Sequence, residues 1–281
     1  MTDPQIFDYD SWGRRSAALA SAYRVADPFP HVVLDDFLVG TAAARMAEEF
    51  PGATGEAWIR YQHVNENKLG RRDRESFGPT LRAAIDELSS PRFIAFLEAV
   101  TGVGRLLADP LLEGGGLHQS GRGGFLNVHA DFTVHPHRPT WRRRVNVLVY
   151  LNEGWRDEWG GHLELWDSRV TRAVQRISPR QNRVVIFNTD ESAFHGHPDP
   201  TTCPPEHSRR SIALYYFTEE LAPVRARSTE YRARPGDGPR SLLIYADKMA
   251  LRAYDIAKRR LGFDDRWISR LLGALQRRPR R

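Results

Sequence analysis

Apolar and polar residues alternate in a series of short segments in the second half of the chain. The segments cover residues 126–132, 145–152, 162–166, 183–189 and 209–217. Glycine, proline, asparagine and aspartate separate them, without an intervening helical pattern. Because successive residues of a strand point to opposite faces, this alternation is typical of half-buried strands. Short strands in close succession predict an all-β sandwich or barrel.

The first third of the chain is predicted to be mixed and largely helical. Residues 28–34 form a short extended stretch, and residues 41–50 have a helical pattern that stops at a Pro-Gly pair. A clearer helix begins after Ser90, a good N-cap residue, and ends at Gly102. Its apolar residues recur at helical spacing and predict one buried face: Phe93, Phe96, Leu97 and Val100.

The chain after residue 220 has a different charge balance. Residues 221–281 contain sixteen Lys and Arg against six Asp and Glu, whereas residues 1–220 contain 25 against 29. A linker rich in Arg, Pro and Gly over 232–239 precedes helical patterns over 241–260 and 266–276. We therefore predict one domain over residues 1–220 and a basic C-terminal helical extension over residues 221–281.

Two interpretations of this extension stay open. Its helices either buttress the domain, with their Arg-rich faces in solvent, or bind an acidic partner. Nucleic acid is disfavoured as a partner.

Composition excludes several classes of protein. Hydrophobic residues make up 41% and charged residues 27%, which is ordinary for a globular protein and excludes a disordered or collagen-like chain. No apolar run approaches the roughly 20 residues of a membrane span, and the N-terminus lacks the pattern of a secretory signal. The single cysteine, Cys203, cannot form an internal disulfide. We expect a cytoplasmic protein.

His129 and Asp131 are the first residues that indicate chemistry. They lie two apart in an alternating segment, so both side chains point to one face of a strand. A metal ion needs a third ligand, and His195 and His197 are two candidates far downstream. Two histidines and one carboxylate on one face of a metal are typical of non-haem Fe(II) oxygenases. The alternative is a surface turn with a hydrogen-bonded histidine, because such triplets are common.

Arg209 and Ser211 lie at same-face spacing in the last alternating segment. A buried arginine needs a partner, because an unpaired charge in a β core is costly. The natural partner is a carboxylate, which the guanidinium binds through two hydrogen bonds and a nearby hydroxyl assists. If the protein supplies no carboxylate, a dicarboxylate ligand does. The alternative is that Arg209 and Arg210 form a solvated pair on an edge strand.

Five motifs occur in a fixed order along the chain. They are His129-x-Asp131, Tyr150-Leu151-Asn152, Gly160-Gly161-x-Leu163, His195-Gly196 and Arg209-x-Ser211. This set resembles the 2-oxoglutarate/Fe(II)-dependent dioxygenases of the prolyl 4-hydroxylase-like superfamily over roughly residues 105–218. The resemblance implies a mainly β fold with flanking helices (α+β). Its core is a double-stranded β-helix, a jelly-roll of cupin-like form, with an N-terminal helical buttress.

The resemblance also implies the iron ligands and the reaction. His129, Asp131 and His195 resemble the ligands, and the family places the second histidine directly before a glycine, which favours His195 over His197. The implied cofactors are Fe(II), 2-oxoglutarate and O2, with ascorbate in a supporting role. The reaction would convert 2-oxoglutarate to succinate and CO2 and hydroxylate an unactivated C–H bond. Halogenating relatives lack the carboxylate, so Asp131 favours hydroxylation, although desaturation and ring formation stay open.

Other residues resemble the cosubstrate-binding positions of the family. Arg209, with Ser211 beside it, resembles the residue that pairs with the distal carboxylate of 2-oxoglutarate. Tyr150 matches the strand tyrosine that donates to the same carboxylate. Asn127 lies two residues before His129 on the metal-facing side, where we expect it to contact cosubstrate or substrate.

The substrate class stays open between a prolyl or aminoacyl group and a biosynthetic small molecule, because pocket-lining loops decide among them. A non-catalytic, cupin-like jelly-roll module for binding or sensing is the alternative from another class. Such a module has no reason to keep a metal triad and a carboxylate-binding arginine together, which favours the enzyme.

Overall fold

The computed structural model describes residues 5–249 of the chain. Its helices are α1 (Tyr9–Val25), α2 (Gly40–Glu48), α3 (Pro79–Leu88) and α4 (Pro91–Thr101). Its strands are β1 (His31–Leu34), β2 (Ile59–His63), β3 (Glu66–Arg71), β4 (Leu107–Ala108), β5 (Gly116–Ser120), β6 (Phe125–Ala130), β7 (Trp141–Tyr150), β8 (Leu163–Trp166), β9 (Ala173–Ile177), β10 (Val184–Asn188), β11 (His195–His197), β12 (Arg209–Glu219) and β13 (Glu230–Tyr231). A further helix covers residues 240–249.

The strands form one large, curled antiparallel sheet. Their order is β1-β10-β7-β12-β5-β3-β6-β11-β8-β9, and β13 adds to β6. Strand β3 pairs with β5 and with β6, so it joins the two halves of the sheet. The sheet, with a few flanking helices, has the jelly-roll arrangement that the resemblance implies. The predicted fold class is confirmed.

Strand β7 separates the helix-packed core from the interior of the curled sheet. Val145, Val147 and Val149 are fully buried in the same hydrophobic cluster as Leu97 of α4. The residues that alternate with them face the interior, where Tyr150 packs in a second cluster. Burial of a Val or Leu side chain contributes about 1.5–3 kcal/mol, so this layer of helices stabilises the sheet strongly. The predicted helical buttress is confirmed.

Helix α4 follows its sequence signals closely. The Ser90 side chain accepts a hydrogen bond from the Phe93 backbone N–H at 3.1 Å, which caps the first turn. Gly102 ends the helix in the left-handed conformation, with φ of 73°. The four apolar residues predicted to form one face are all buried. By contrast, Asp131 lies one residue beyond the end of β6 instead of inside a strand.

The described part of the extension packs against the domain. The backbone N–H of Thr133 donates to the carbonyl of Arg227, and β13 pairs with β6. Arg234 forms an ion pair with Asp199 of the domain at 2.8 Å, and Lys248 forms one with Glu230 inside the extension at 3.2 Å. The first of these ties the extension to the domain. These contacts favour buttressing, and nothing in them supports an acidic partner.

Part of the prediction for the extension lies outside the described residues. This holds for residues 250–260 of the first predicted helix and for the whole of the second one, 266–276. The boundary at residue 220 therefore stays a prediction. Within residues 5–249, no helix is long and apolar enough to cross a membrane.

Candidate metal and cosubstrate site

Three side chains of metal-ligand type converge where β6 and β11 pair. The register places His195 of β11 opposite His129 of β6, and Asp131 follows the end of β6. The Nε2 atom of His129 lies 3.5 Å from Oδ1 of Asp131, and Nε2 of His195 lies 3.6 Å from Oδ2. Two atoms that are each about 2.1 Å from one ion lie at most about 4.2 Å apart, so these spacings fit a shared metal.

Backbone carbonyls fix the tautomers of both histidines. The Nδ1 atom of His129 lies 2.9 Å from the carbonyl oxygen of Asn127, and Nδ1 of His195 lies 2.9 Å from that of Ala193. A carbonyl can only accept, so each Nδ1 carries the proton and donates it. The Nε2 lone pairs are therefore free and point toward Asp131, as metal ligands require.

The protonation states also suit a metal. Burial lowers the pKa of His195 to about 4, so its imidazole is neutral at pH 7. Burial alone would raise the pKa of Asp131, but Arg143 and the two histidines hold it well below its usual range. Neutral imidazole and ionised carboxylate are the forms that coordinate a cation. Among the described residues, His129, Asp131 and His195 form the one cluster of this type.

Position 196, directly after His195, lies too close to the backbone of β6 to carry a side chain. A Cβ atom at this position would lie 2.7 Å from the carbonyl oxygen of Leu126 and 2.9 Å from that of Asn127, both in β6. Real Cβ contacts are longer than this. The glycine therefore allows β11 to approach β6 closely enough to set His195 beside His129.

Arg209 lies in the interior of the sheet beside Tyr150. It is 6% exposed; its Nε donates to the carbonyl of Gly161 at 2.7 Å, and Nη2 donates to the Tyr150 hydroxyl at 3.1 Å. Burial lowers the pKa of Arg209. Because Arg209 is buried, it does not form the solvated pair with Arg210 that the sequence leaves as an alternative. Within residues 5–249, Arg209 forms no ion pair. A desolvated cation without an anion is unfavourable, and this arrangement fits an anionic ligand.

Ser211 is placed with these residues. It is buried in β12, where the register sets it opposite Tyr150 of β7. Burial raises the pKa of Tyr150, although Arg209 opposes this, so the phenol keeps its proton at pH 7. Because the Tyr150 oxygen accepts from Arg209, its own hydrogen is free to donate. The structure thus brings together Arg209, Tyr150 and Ser211.

Asn127 and His197 occupy the flanks of the site. The Asn127 amide donates to the carbonyl of Val64 at 3.2 Å and to the side chain of Asn65 at 3.1 Å, and so holds the turn between β2 and β3. Nδ1 of His197 is buried without a hydrogen-bond partner among the described residues. Burial and then Arg209 lower the pKa of His197 well below its usual range. His197 is not part of the ligand cluster.

Residues outside the five motifs complete the site. Tyr231 of β13 is buried, and its ring lies 5.5 Å from the ring of His129. Burial raises the pKa of Tyr231 well above its usual value, and the carboxylates of Glu66 and Asp247 add to this effect. Lys68 lies 3.0 Å from Glu66 in an ion pair on β3. No motif or hydrophobic pattern marked these residues, because polar inward-facing positions carry no such signal.

Comparisons with known proteins find a similar fold and a family model that matches part of the chain. The family described as the 2OG-Fe(II) oxygenase superfamily matches residues 115–217. No curated protein matches the chain in sequence. The structure is similar to a prolyl-4-hydroxylase from Pseudomonas putida, with a TM-score of 0.52 and 16% identity over 73% of this chain and 100% of that one.

A second solved structure is also similar. It is a prolyl hydroxylase from Trichoplax adhaerens, in complex with a peptide fragment of the oxygen degradation domain of hypoxia inducible factor. The TM-score is 0.54 with 18% identity, over 74% of this chain and 90% of that one. At such identities both likenesses show the fold alone. The predicted cofactors, Fe(II) and 2-oxoglutarate, are those in the family's description, and a His-Asp-His site is present. The predicted resemblance is confirmed: residues 115–217 carry the sequence pattern of the 2OG-Fe(II) oxygenase superfamily on a matching fold.

Proposed function

We propose that the protein is a hydroxylase that couples oxidative decarboxylation of 2-oxoglutarate, to succinate and CO2, to hydroxylation of an unactivated C–H bond. Its catalytic domain would be residues 1–220, with the core at 105–218, and residues 221–281 would form an extension. The convergence of His129, Asp131 and His195 with both Nε2 atoms free carries this proposal.

These three residues would hold Fe(II) on one face of the ion. Two imidazoles and one carboxylate leave coordination positions open for cosubstrate and O2. The iron would supply the oxidative chemistry, and the protein supplies position and charge. Asp131 occupies the carboxylate position, which supports hydroxylation as the outcome.

The cosubstrate would bind with its distal carboxylate at Arg209. This guanidinium is desolvated and has no carboxylate partner within residues 5–249, so a dianion would satisfy it. The Tyr150 hydroxyl, whose oxygen already accepts from Arg209, would donate its hydrogen to the same carboxylate. Ser211 lies opposite Tyr150 and would assist. Asn127 would act mainly through the turn between β2 and β3, at the border of the substrate space.

The substrate would be a prolyl or aminoacyl group, or a small molecule. One similar structure holds a peptide fragment, which supports the first class by analogy of fold. Tyr231 would border the substrate, because its ring lies beside that of His129. The Glu66–Lys68 ion pair would lie near it, since Glu66 acts on Tyr231 and Lys68 is influenced by Asp131.

Succinate release tests the proposal. Purified protein with Fe(II), ascorbate, O2 and labelled 2-oxoglutarate should release succinate slowly, and a true substrate from a peptide and small-molecule panel should accelerate it. Asp131→Ala should abolish this release. His137→Ala, a half-exposed histidine outside the ligand cluster, is the matched control and should keep it. Equal succinate release by wild type and Asp131→Ala would overturn the proposal.

A further inference from the structure

Asp131 is held by two side chains that the five motifs do not include. The Nδ2 atom of Asn146 donates to Oδ2 of Asp131 at 2.8 Å. Nη2 of Arg143 lies 3.0 Å from the same oxygen. Nε of Arg143 donates to Oδ1 of Asn146 at 3.0 Å, so the two side chains also hold each other. We call Arg143 and Asn146 the carboxylate clasp.

Strand β7 has an irregularity that places both residues of the clasp on one face. Tyr216 pairs with Val145, but the next residue, Phe217, pairs with Arg143, so Arg144 is an extra residue in β7. An extra residue shifts the alternation of side chains by one position. Regular alternation would direct Arg144 toward the site with Asn146, and the bulge directs Arg143 there instead.

The guanidinium of Arg143 has little freedom to leave this position. Arg143 is 2% exposed, and its carbon Cζ lies 3.4 Å from the ring centre of Tyr215 and 4.5 Å from that of Phe132. The two neighbouring rings attract the cation and restrict its rotation. The side chain is therefore positioned before any ligand binds.

The clasp leaves the two oxygens of Asp131 unequal. Asn146 donates a hydrogen bond to Oδ2, and the guanidinium of Arg143 lies 3.0 Å from the same oxygen in an ion pair. Among the described residues no such donor approaches Oδ1, which lies 3.5 Å from Nε2 of His129, while Nε2 of His195 lies 3.6 Å from Oδ2. We infer that Arg143 and Asn146 are positioning residues that hold Asp131 as a one-oxygen metal ligand through Oδ1, and this inference rests on the proposed function.

Metal binding without substrate or turnover tests the clasp. Cobalt(II) is the probe, because its visible absorption reports the number and arrangement of ligands. Asn146→Ala removes a neutral donor and leaves the charge unchanged. We expect it to weaken Co(II) affinity about 10–100-fold, the usual effect of removing a group that orients a metal ligand. The absorption spectrum should also change, since the freed carboxylate can bind through both oxygens.

Arg143→Lys is the second variant. It keeps the positive charge, but one ammonium cannot bridge Asn146 and Asp131 as the planar guanidinium does. We expect a loss of affinity and a spectral change in the same direction. Arg142→Lys makes the identical exchange at the exposed neighbouring residue and should match wild type. Circular dichroism verifies folding, and either folded variant is sufficient for the test.

The outcomes separate the clasp from the proposed function. If wild type binds one Co(II) and the folded clasp variants retain its affinity and spectrum, the inference about the clasp is overturned while the proposed function stands. If wild type binds no Co(II), the proposed function fails first. Weaker binding with an altered spectrum in the clasp variants, and not in Arg142→Lys, supports the inference.

Discussion

Replacing Arg209 by methionine should weaken 2-oxoglutarate binding without removing the metal site. Arg209→Met keeps the length of the side chain but removes its charge and all donors. The residue makes no ion pair within residues 5–249, so the protein loses no internal ion pair. The cosubstrate loses its charge-assisted partner.

The magnitude follows from the burial of the guanidinium. Removing one partner of a buried, hydrogen-bonded charge pair costs about 2–4 kcal/mol in binding. This corresponds to an increase in the Kd for 2-oxoglutarate of about 30-fold to 700-fold, at 1.4 kcal/mol for each factor of ten. Tyr150 and the metal would supply the affinity that is left.

Anaerobic calorimetry with the Fe(II)-loaded protein measures this Kd directly. A thermal melt offers a second readout, since ligand at 100 times its Kd stabilises the wild-type fold by about 2.7 kcal/mol. Arg210→Met is the control, because Arg210 is on the opposite face of β12, near Phe50. A wild-type Kd in Arg209→Met would refute the assignment of this arginine to the cosubstrate.

Three other predictions concern pH, packing and closure of the site. Burial lowers the pKa of half-buried His118 to about 3 in the folded protein. As pH falls below about 6.5, His118 therefore becomes protonated in the unfolded chain while it stays neutral in the folded one. His118 should therefore lower the free energy of unfolding by about 1–2 kcal/mol between pH 7 and pH 5. Urea titrations should show that the free energy of unfolding of His118→Asn falls less over this pH range than that of wild type. Gly196→Ala should cost about 1–3 kcal/mol and weaken metal binding, because its Cβ would clash with β6. Gly121→Ala, where no atom lies within 4 Å, should leave both denaturation midpoint and metal affinity unchanged. Tyr231→Ala should speed loss of the metal to a chelator several-fold, because the ring covers His129, whereas Tyr245→Ala, at 60% exposure, should not. Equal release rates for the two tyrosine variants would contradict this role.

The sequence predicts the parts of the site that depend on local alternation and on ordered motifs. The strands with His129, His195 and Arg209 are predictable because strand side chains alternate and the motif order is specific. The same motifs predict Asp131, although it lies one residue beyond β6. The predicted core over residues 105–218 stays a prediction: strands β4 to β12 lie between Leu107 and Glu219, but β1, β2, β3 and β13 of the same sheet lie outside these bounds. Helix α4 was predictable for a similar reason, since its cap and its spacing are local signals.

The rest of the site depends on long-range geometry. Regular alternation in β7 would select Arg144, and only the bulge reveals Arg143 as the partner of Asp131. Glu66 and Lys68 lie on a polar strand in which apolar and polar residues do not alternate. Tyr231 lies in a strand of only two residues. Their placement in the site is set by tertiary packing, which a single sequence does not encode in any short pattern.

Anaerobic titration with Fe(II) measures whether His129, Asp131 and His195 together bind one iron ion. Wild type and His197→Ala should each bind one equivalent, because Nε2 of His195, and not the ring of His197, joins His129 and Asp131. His195→Ala and Asp131→Ala should lose stoichiometric binding. If the wild type binds no iron, these residues do not form an iron site. If His197→Ala loses iron binding and His195→Ala retains it, the assignment of His195 as the ligand is wrong.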